Sequence, residues 1–169
     1  MRMIRIVLDA MGGDYAPEAA CRGAVLALRA DPELQITLAG VQESIEKIIA
    51  GDEDVRDRLH ILDAPEIITN NESPALAVRQ KKNSAVVRGM LMLREGEADG
   101  FVTAGSTGAV LVGGMLRLGR IPGIERPALA PLMPGRVGPF LLIDAGANVD
   151  CKPEYLAQFA LMGDAYMRK

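Results

Sequence analysis

Tryptophan is absent, and aromatic side chains make up only 4% of the chain. So few rings leave little for nucleic-acid bases to stack on. There is no excess of positive charge either, since 19 basic side chains stand against 22 acidic ones, for a net charge of −3. That balance argues against electrostatic capture of a nucleic-acid backbone. Only two cysteines occur, Cys21 and Cys151, with no CxxC spacing, so a disulfide framework and a zinc knuckle both lack their residues. Histidine occurs once, at His60, and no serine sits in a GxSxG elbow, which leaves little room for a covalent triad. The longest uncharged run, from Gly100 to Leu116, is broken by four internal glycines and falls short of the ~20 apolar residues a membrane-spanning helix needs. What remains is an ordinary composition, 169 residues at 49% hydrophobic, enough to bury a core. The expectation is a single α/β domain over 1–169 in a reducing, cytoplasmic compartment.

Strand and helix patterns alternate. Met3 to Leu8 is a β-branched apolar run stopped by Asp9, Gly12 and Gly13, and it predicts a strand entering a tight turn. A helix from about Pro17 to Ala30 follows. Leu34 to Ala39 and Leu59 to Leu62 predict strands on either side of a helix from Gln42 to Ala50. Ser73-Pro74 marks a helix start, with Arg79, Lys81 and Lys82 close behind, and Ala85 to Glu95 predicts another helix. Phe101 to Ala104 then predicts a strand, Ala109 to Leu118 a helix, Pro139 to Ile143 a last strand and Pro153 to Met167 the closing helix. This alternation is the mark of a largely parallel sheet covered by helices, a Rossmann-like α/β/α sandwich.

Ligands of such sheets bind where strands end at their carboxyl edge. Four turns therefore matter: Asp9 to Asp14, Ser73 to Ser84, Ala104 to Ala109, and Asp144 to Asn148 with Lys152 just beyond. Gly105, Ser106, Thr107 and Gly108 form either an oxyanion or phosphate cradle at a helix start or a plain glycine turn with a hydroxyl cap. Arg79, Lys81 and Lys82 are either a phosphate-neutralising cluster or a solvated face. Asp9 and Asp14 could bind a cation, position a donor, or cap backbone amides. Nucleotide fingerprints are missing, because no two glycines flank a single residue and no Gly-Lys pair exists.

Taken in order, DAMGGD at Asp9 to Asp14, SPALAVRQKK at Ser73 to Lys82, ADGFVTAGSTGA at Ala98 to Ala109, RPALAPLMP at Arg126 to Pro134 and LIDAGANVDCKPEYLAQFALMG at Leu142 to Gly163 resemble the PlsX family of bacterial phosphate acyltransferases. The resemblance runs through essentially the whole chain. It implies a Rossmann-like fold related to isocitrate and isopropylmalate dehydrogenases, and a reaction in which inorganic phosphate attacks the thioester of an acyl group on acyl carrier protein, giving acyl phosphate for phospholipid synthesis. It also implies a homodimer and peripheral contact at the inner face of the membrane, with no cofactor and no metal.

Position by position, Asp9, Gly12, Gly13, Asp14, Arg79, Lys81, Lys82, Gly105, Ser106, Thr107, Gly108, Asp144, Asn148 and Lys152 match the family's blocks; the expectation drawn from that match puts Lys81, Lys82, Asp144 and Asn148 in the catalytic set and the others in substrate or phosphate binding. Ser106 stands where the family pattern has asparagine. Family members are about twice as long, so the chain is read as an N-terminal half whose own catalytic competence is in question. The alternative to an acyltransferase is a noncatalytic α/β module that binds a phosphate compound or a partner chain.

Overall fold

Residues 3–168 are described in the computed structural model of the chain, so Met1, Arg2 and Lys169, the ends of the domain expected over 1–169, lie outside the described residues. The first apolar run becomes β1, Ile4–Asp9. Its odd and even residues face opposite sides of the sheet, as the period of a strand requires. Helix α1, Glu18–Ala30, carries the chain to β2, Leu34–Gly40. Helix α2, Gln42–Ile49, and a 3-10 turn, Glu53–Arg58, lead to β3, Leu59–Asp63. Helices α3, Pro74–Gln80, and α4, Ala85–Arg94, precede β4, Gly100–Val102.

The four strands form one sheet in the order β3-β2-β1-β4, and every pairing is parallel. Helical crossovers give that result, because strands joined through helices return in the same direction. One face is covered by α1 and α2. There Ile36, Leu38 and Leu59 from the strands pack with Val25, Leu28, Ile45 and Ile49 from the helices. The other face carries Val7, Ala39 and Phe101 against Ala85, Met92 and Leu93 of α4. Gly89 lets α4 approach closely, since a Cβ at that position would stand 2.5 Å from the Phe101 ring.

Differences from the expected elements have local causes. The strand expected to reach Ala104 ends at Val102, and the chain turns from Thr103 on, where the threonine hydroxyl donates to Asp9 and accepts the Gly105 amide. The helix expected from Ala109 begins earlier, as α5, Thr107–Gly113, with Ser106 as its cap, and continues as a π-type turn, Gly114–Leu118.

The structure divides into two compact units, Met1–Leu118 and Gly119–Lys169. In the second unit the last expected strand shortens to Phe140–Leu141 (β6), which pairs antiparallel with Leu132–Met133 (β5) and is not part of the parallel sheet. Proline cannot donate to a ladder, and Pro134 and Pro139 bound this hairpin on its inner side. Helix α6, Pro153–Met167, closes the chain with the bounds its sequence predicts.

Candidate functional site

In the order β3-β2-β1-β4 the chain moves one way from β1, through α1 to β2, and returns on the other side as β4. The carboxyl ends of β1 and β4 therefore flank a topological switch point, where the outgoing loops part and leave a crevice. The Asp9–Asp14 turn leaves one end of it and the Ala104–Ala109 turn leaves the other.

Asp9, the last residue of β1, is buried. Its Oδ1 accepts the Met11 amide at 3.0 Å and its Oδ2 accepts the Thr103 hydroxyl at 2.8 Å. Burial pushes the Asp9 carboxyl above the usual range, while Thr103 and the Met11 and Gly12 amides pull against that rise. Thr103 Oγ1 in turn accepts the Gly105 amide at 2.9 Å. Gly12 fits between them only because it has no side chain: a Cβ there would lie 2.6 Å from Thr103 Oγ1, 2.8 Å from Asp9 Oδ2 and 2.9 Å from the Gly105 nitrogen. Gly13, at φ +98°, occupies the left-handed region that favours glycine. The two turns are thus stitched together through Asp9, Thr103 and Gly105.

Ser106 caps α5, its hydroxyl accepting the Ala109 amide at 3.3 Å. The amides of Thr107 and Gly108 belong to the first turn and have no acceptor within the helix. Pro74, at the start of α3, packs directly on Gly108, leaving 2.7 Å to a Cβ placed there. The Ser73–Ser84 segment also reaches the site on the α4 side, where Asp9, Met11, Glu66, Ile67 and Ser84 line one narrow cavity. Three of the four turns therefore converge.

Within that segment the cations differ. Lys81 donates to the Ile67 carbonyl at 2.6 Å and pairs with Glu72 at 2.5 Å. Glu72 also accepts the Thr69 amide at 2.8 Å and hydroxyl at 3.0 Å. The Lys81 ammonium, together with Thr69, holds the Glu72 carboxyl down to about 2. Arg79 and Lys82 are exposed, with no ion pair among the described residues.

Asp144, Asn148 and Lys152 lie in the second unit. Asp144 Oδ1 accepts the amides of Leu129 at 2.7 Å and Ala147 at 3.2 Å, and Oδ2 accepts the Asn148 amide at 2.7 Å and side-chain nitrogen at 3.1 Å. Burial pushes this carboxyl up, but the donors from Leu129, Asn148 and Ala147 outweigh it and hold the group below its ordinary value. Asn148 Nδ2 also reaches the Pro127 carbonyl at 3.0 Å. Lys152 and Arg126 each lie 5.9 Å from the Tyr155 ring centre.

Sequence reasoning missed Thr103, Glu72 and Glu66. A hydroxyl at a strand's carboxyl end, opposite a buried aspartate one strand over, is the only signal for Thr103. Nothing local marks Glu72 as the partner of a lysine beyond the next helix. Among the described residues no group of three or more His, Cys, Asp or Glu side chains could hold a metal ion, and no helix is long and apolar enough to cross a membrane.

Residues 4–169 match the family model described as "Fatty acid synthesis protein". The chain is 46% identical over 166 residues to a protein named phosphate acyltransferase from Clostridium tetani (strain Massachusetts / E88), covering 98% of this chain and 50% of that protein. It is 48% identical over 166 residues to the phosphate acyltransferase of Clostridium beijerinckii, again with 98% and 50% coverage. The chain spans about half the length of the curated relatives it matches. Among solved structures, a phosphotransacetylase from Streptococcus pyogenes aligns with a TM-score of 0.68 at 21% identity, over 94% of this chain and 52% of that one. That likeness establishes a shared α/β fold.

Proposed function

Because the chain belongs to the fatty acid synthesis protein family, we propose that it contributes the phosphate side of an acyltransferase site that joins inorganic phosphate to the acyl group of acyl-[acyl carrier protein]. The observation that carries this reading is the junction of Asp9, Gly12, Thr103 and Gly105 at the switch point, which ties the Gly-Ser-Thr-Gly loop and the helix start after it to the Asp9–Asp14 turn.

In the proposed reaction a phosphate oxygen attacks the thioester carbonyl carbon. The new C–O bond forms, the C–S bond breaks, and the carrier's sulfur leaves as a thiolate that takes a proton from solvent. Phosphate supplies the nucleophile, and a thiolate of pKa about 8.5 leaves readily, so the protein's work is alignment and neutralisation. The amides of Thr107 and Gly108 and the hydroxyls of Ser106 and Thr107 bind phosphate oxygens. Arg79 and Lys82 neutralise them, joined by Lys81 when it exchanges Glu72 for phosphate. Gly12, Gly13 and Asp14 form the opposite wall, and Asp9 holds the two turns in register. Asp144, Asn148 and Lys152 order the turn of the second unit. The proposed setting is the cytoplasmic side of phospholipid synthesis, with a homodimer and peripheral membrane contact as further parts of the reading.

The test is acyl phosphate formation from acyl-[acyl carrier protein] and phosphate, followed by mass spectrometry, with this chain alone and with the unmatched half of a Clostridium relative added. Product in either arm, with the KM for phosphate raised about tenfold or more by Thr107→Ala, supports the reading. Phosphate binding without product in both arms would reduce the chain to a binding module.

A further inference from the structure

The rim of the crevice is divided by charge. Beyond the carboxyl ends of β2 and β3, Glu43, Glu46 and Asp63 line an open cavity of about 350 Å³ together with Val41 and Gln42. At α3 the sign reverses. Arg79 in its last turn is followed by Lys81 and Lys82, and Arg117, from the π-type turn after α5, donates to the Val78 carbonyl at 3.3 Å. A helix end carries about half a negative charge, which a single cation balances. The cations here exceed that need, and Arg79, Lys82 and Arg117 form no ion pair among the described residues, whereas Lys81 is paired with Glu72. The register of α3 decides what it shows to solvent. Ala77 and Val78 are buried, which turns Leu76 and Arg79, three residues apart, outward together. Leu76 is 56% exposed, and exposed Lys82 follows just past the helix end. Through Pro74 the other end of the same helix packs on Gly108, so this face borders the Gly-Ser-Thr-Gly loop.

We propose that the outer face of α3, Leu76 and Arg79 with Lys82 beside them, is where the acyl carrier docks, through an acidic helix that sets carboxylates on the cations and an apolar side chain on Leu76. The inference rests on the reaction proposed above, in which the thioester arrives on a polypeptide too large to enter the crevice, so that its body must sit on the rim. Charge selects the side. The uncompensated cations of α3 attract an acidic surface, and Glu43, Glu46 and Asp63 on the rest of the rim repel the same surface. The exposed leucine between the cations and the helix start supplies the apolar contact that long-range attraction alone lacks. Position completes the case, because a carrier seated on α3 stands beside the loop that Pro74 touches.

The experiment titrates the full chain into a fluorescently labelled bacterial acyl carrier protein bearing an acyl group, in buffer free of phosphate, and reads anisotropy. The expected result is binding that weakens about tenfold or more for Arg79→Glu and for Leu76→Asp, and that fades as salt is raised. Arg94→Glu, at the far end of α4, leaves it unchanged. Both α3 positions are exposed, and circular dichroism confirms folding of each variant. Leu76 takes no part in phosphate capture, so calorimetry with inorganic phosphate is expected to give the same affinity for Leu76→Asp as for the wild type. No binding of the carrier overturns the proposal. Carrier binding indifferent to Arg79→Glu and Leu76→Asp also overturns it, while leaving the proposed reaction in place with docking elsewhere. So does binding of phosphatidylglycerol vesicles that Arg79→Glu abolishes while carrier binding persists, which would make this a membrane face. Carrier binding with the expected pattern but no acyl phosphate formed upholds the docking face and overturns the proposed reaction instead.

Discussion

The Thr103 hydroxyl donates to the buried Asp9 carboxylate at 2.8 Å, joining the carboxyl ends of two neighbouring parallel strands. One oxygen of threonine serves two turns, since it also accepts the Gly105 amide. A carboxylate held in this way is an organiser of the crevice, and its protonation is coupled to the loop that follows β4.

Burial raises the folded-state pKa of Asp9 above its unfolded value of about 3.9. Between those two values the folded chain keeps a proton that the unfolded chain has released, so stability falls as pH rises through that interval and levels off above it. Thr103→Val removes a donor that favours the carboxylate. The Asp9 pKa is expected to climb further, the interval to widen upward, and stability at neutral pH to drop by about 1–3 kcal/mol. Urea unfolding across the pH range, with carbon NMR titration of Asp9, checks this. An Asp9 titration identical in wild type and variant would remove the coupling.

Gly12 and Gly23 separate close approach from simple flexibility. A Cβ at Gly12 would collide with Thr103, Asp9 and the Gly105 backbone, whereas one at Gly23, within α1, meets nothing within 4 Å. Gly12→Ala is expected to destabilise by about 1–3 kcal/mol. Gly23→Ala should stabilise by about 0.5–1 kcal/mol, because alanine loses less backbone freedom in a helix. Thermal denaturation of the two variants gives opposite shifts if the contact argument holds.

The alternation of β-branched runs with helical stretches was enough to read β1, β2 and β3 and the parallel sheet, because period and punctuation are local properties. Helix α6 was legible to the residue, with Pro153 at its first turn. The end of β4 at Val102 was not, since the turn that follows it is tied by Thr103 to Asp9, which is distant in sequence. Nor was the hairpin of Leu132–Met133 with Phe140–Leu141, because an apolar run does not say which sheet it joins. At the site, the glycine turns announced themselves through composition. The state of Lys81 did not: a basic cluster looks the same whether its lysine faces solvent or, as here, Glu72 and the Ile67 carbonyl.

That pairing makes a measurable reserve. Glu72, held at about 2, supports the segment at pH values above its unfolded value of about 4.3, and the support is lost as pH falls toward 2. The pair is surface-accessible, so added salt weakens it. Glu72→Gln is expected to speed proteolysis between Ile68 and Ser73. If Lys81 is a phosphate ligand in waiting, the same substitution tightens phosphate binding about two- to fivefold, while Lys81→Ala with Lys82→Ala weakens it. Calorimetry with inorganic phosphate decides; unchanged phosphate affinity in the double variant would take both lysines out of the site.

Asp144 and Asn148 pose the opposite question, whether residues assigned to chemistry are holding a turn. Asp144 satisfies three backbone amides and the Asn148 side chain, and those donors keep it ionised below its usual range. A depressed pKa stabilises the fold above the unfolded value of about 3.9, and the benefit disappears as pH falls through the folded one. Asp144→Ala is expected to cost about 2 kcal/mol in the second unit and to expose the amides of Leu129, Ala147 and Asn148 to exchange. Asp144→Asn keeps an acceptor but not the charge, and should protect those amides partially. Hydrogen exchange at the three positions separates the roles: if acyl transfer collapses in Asp144→Asn while the amides stay fully protected, the carboxylate acts on substrate and the turn stands without it.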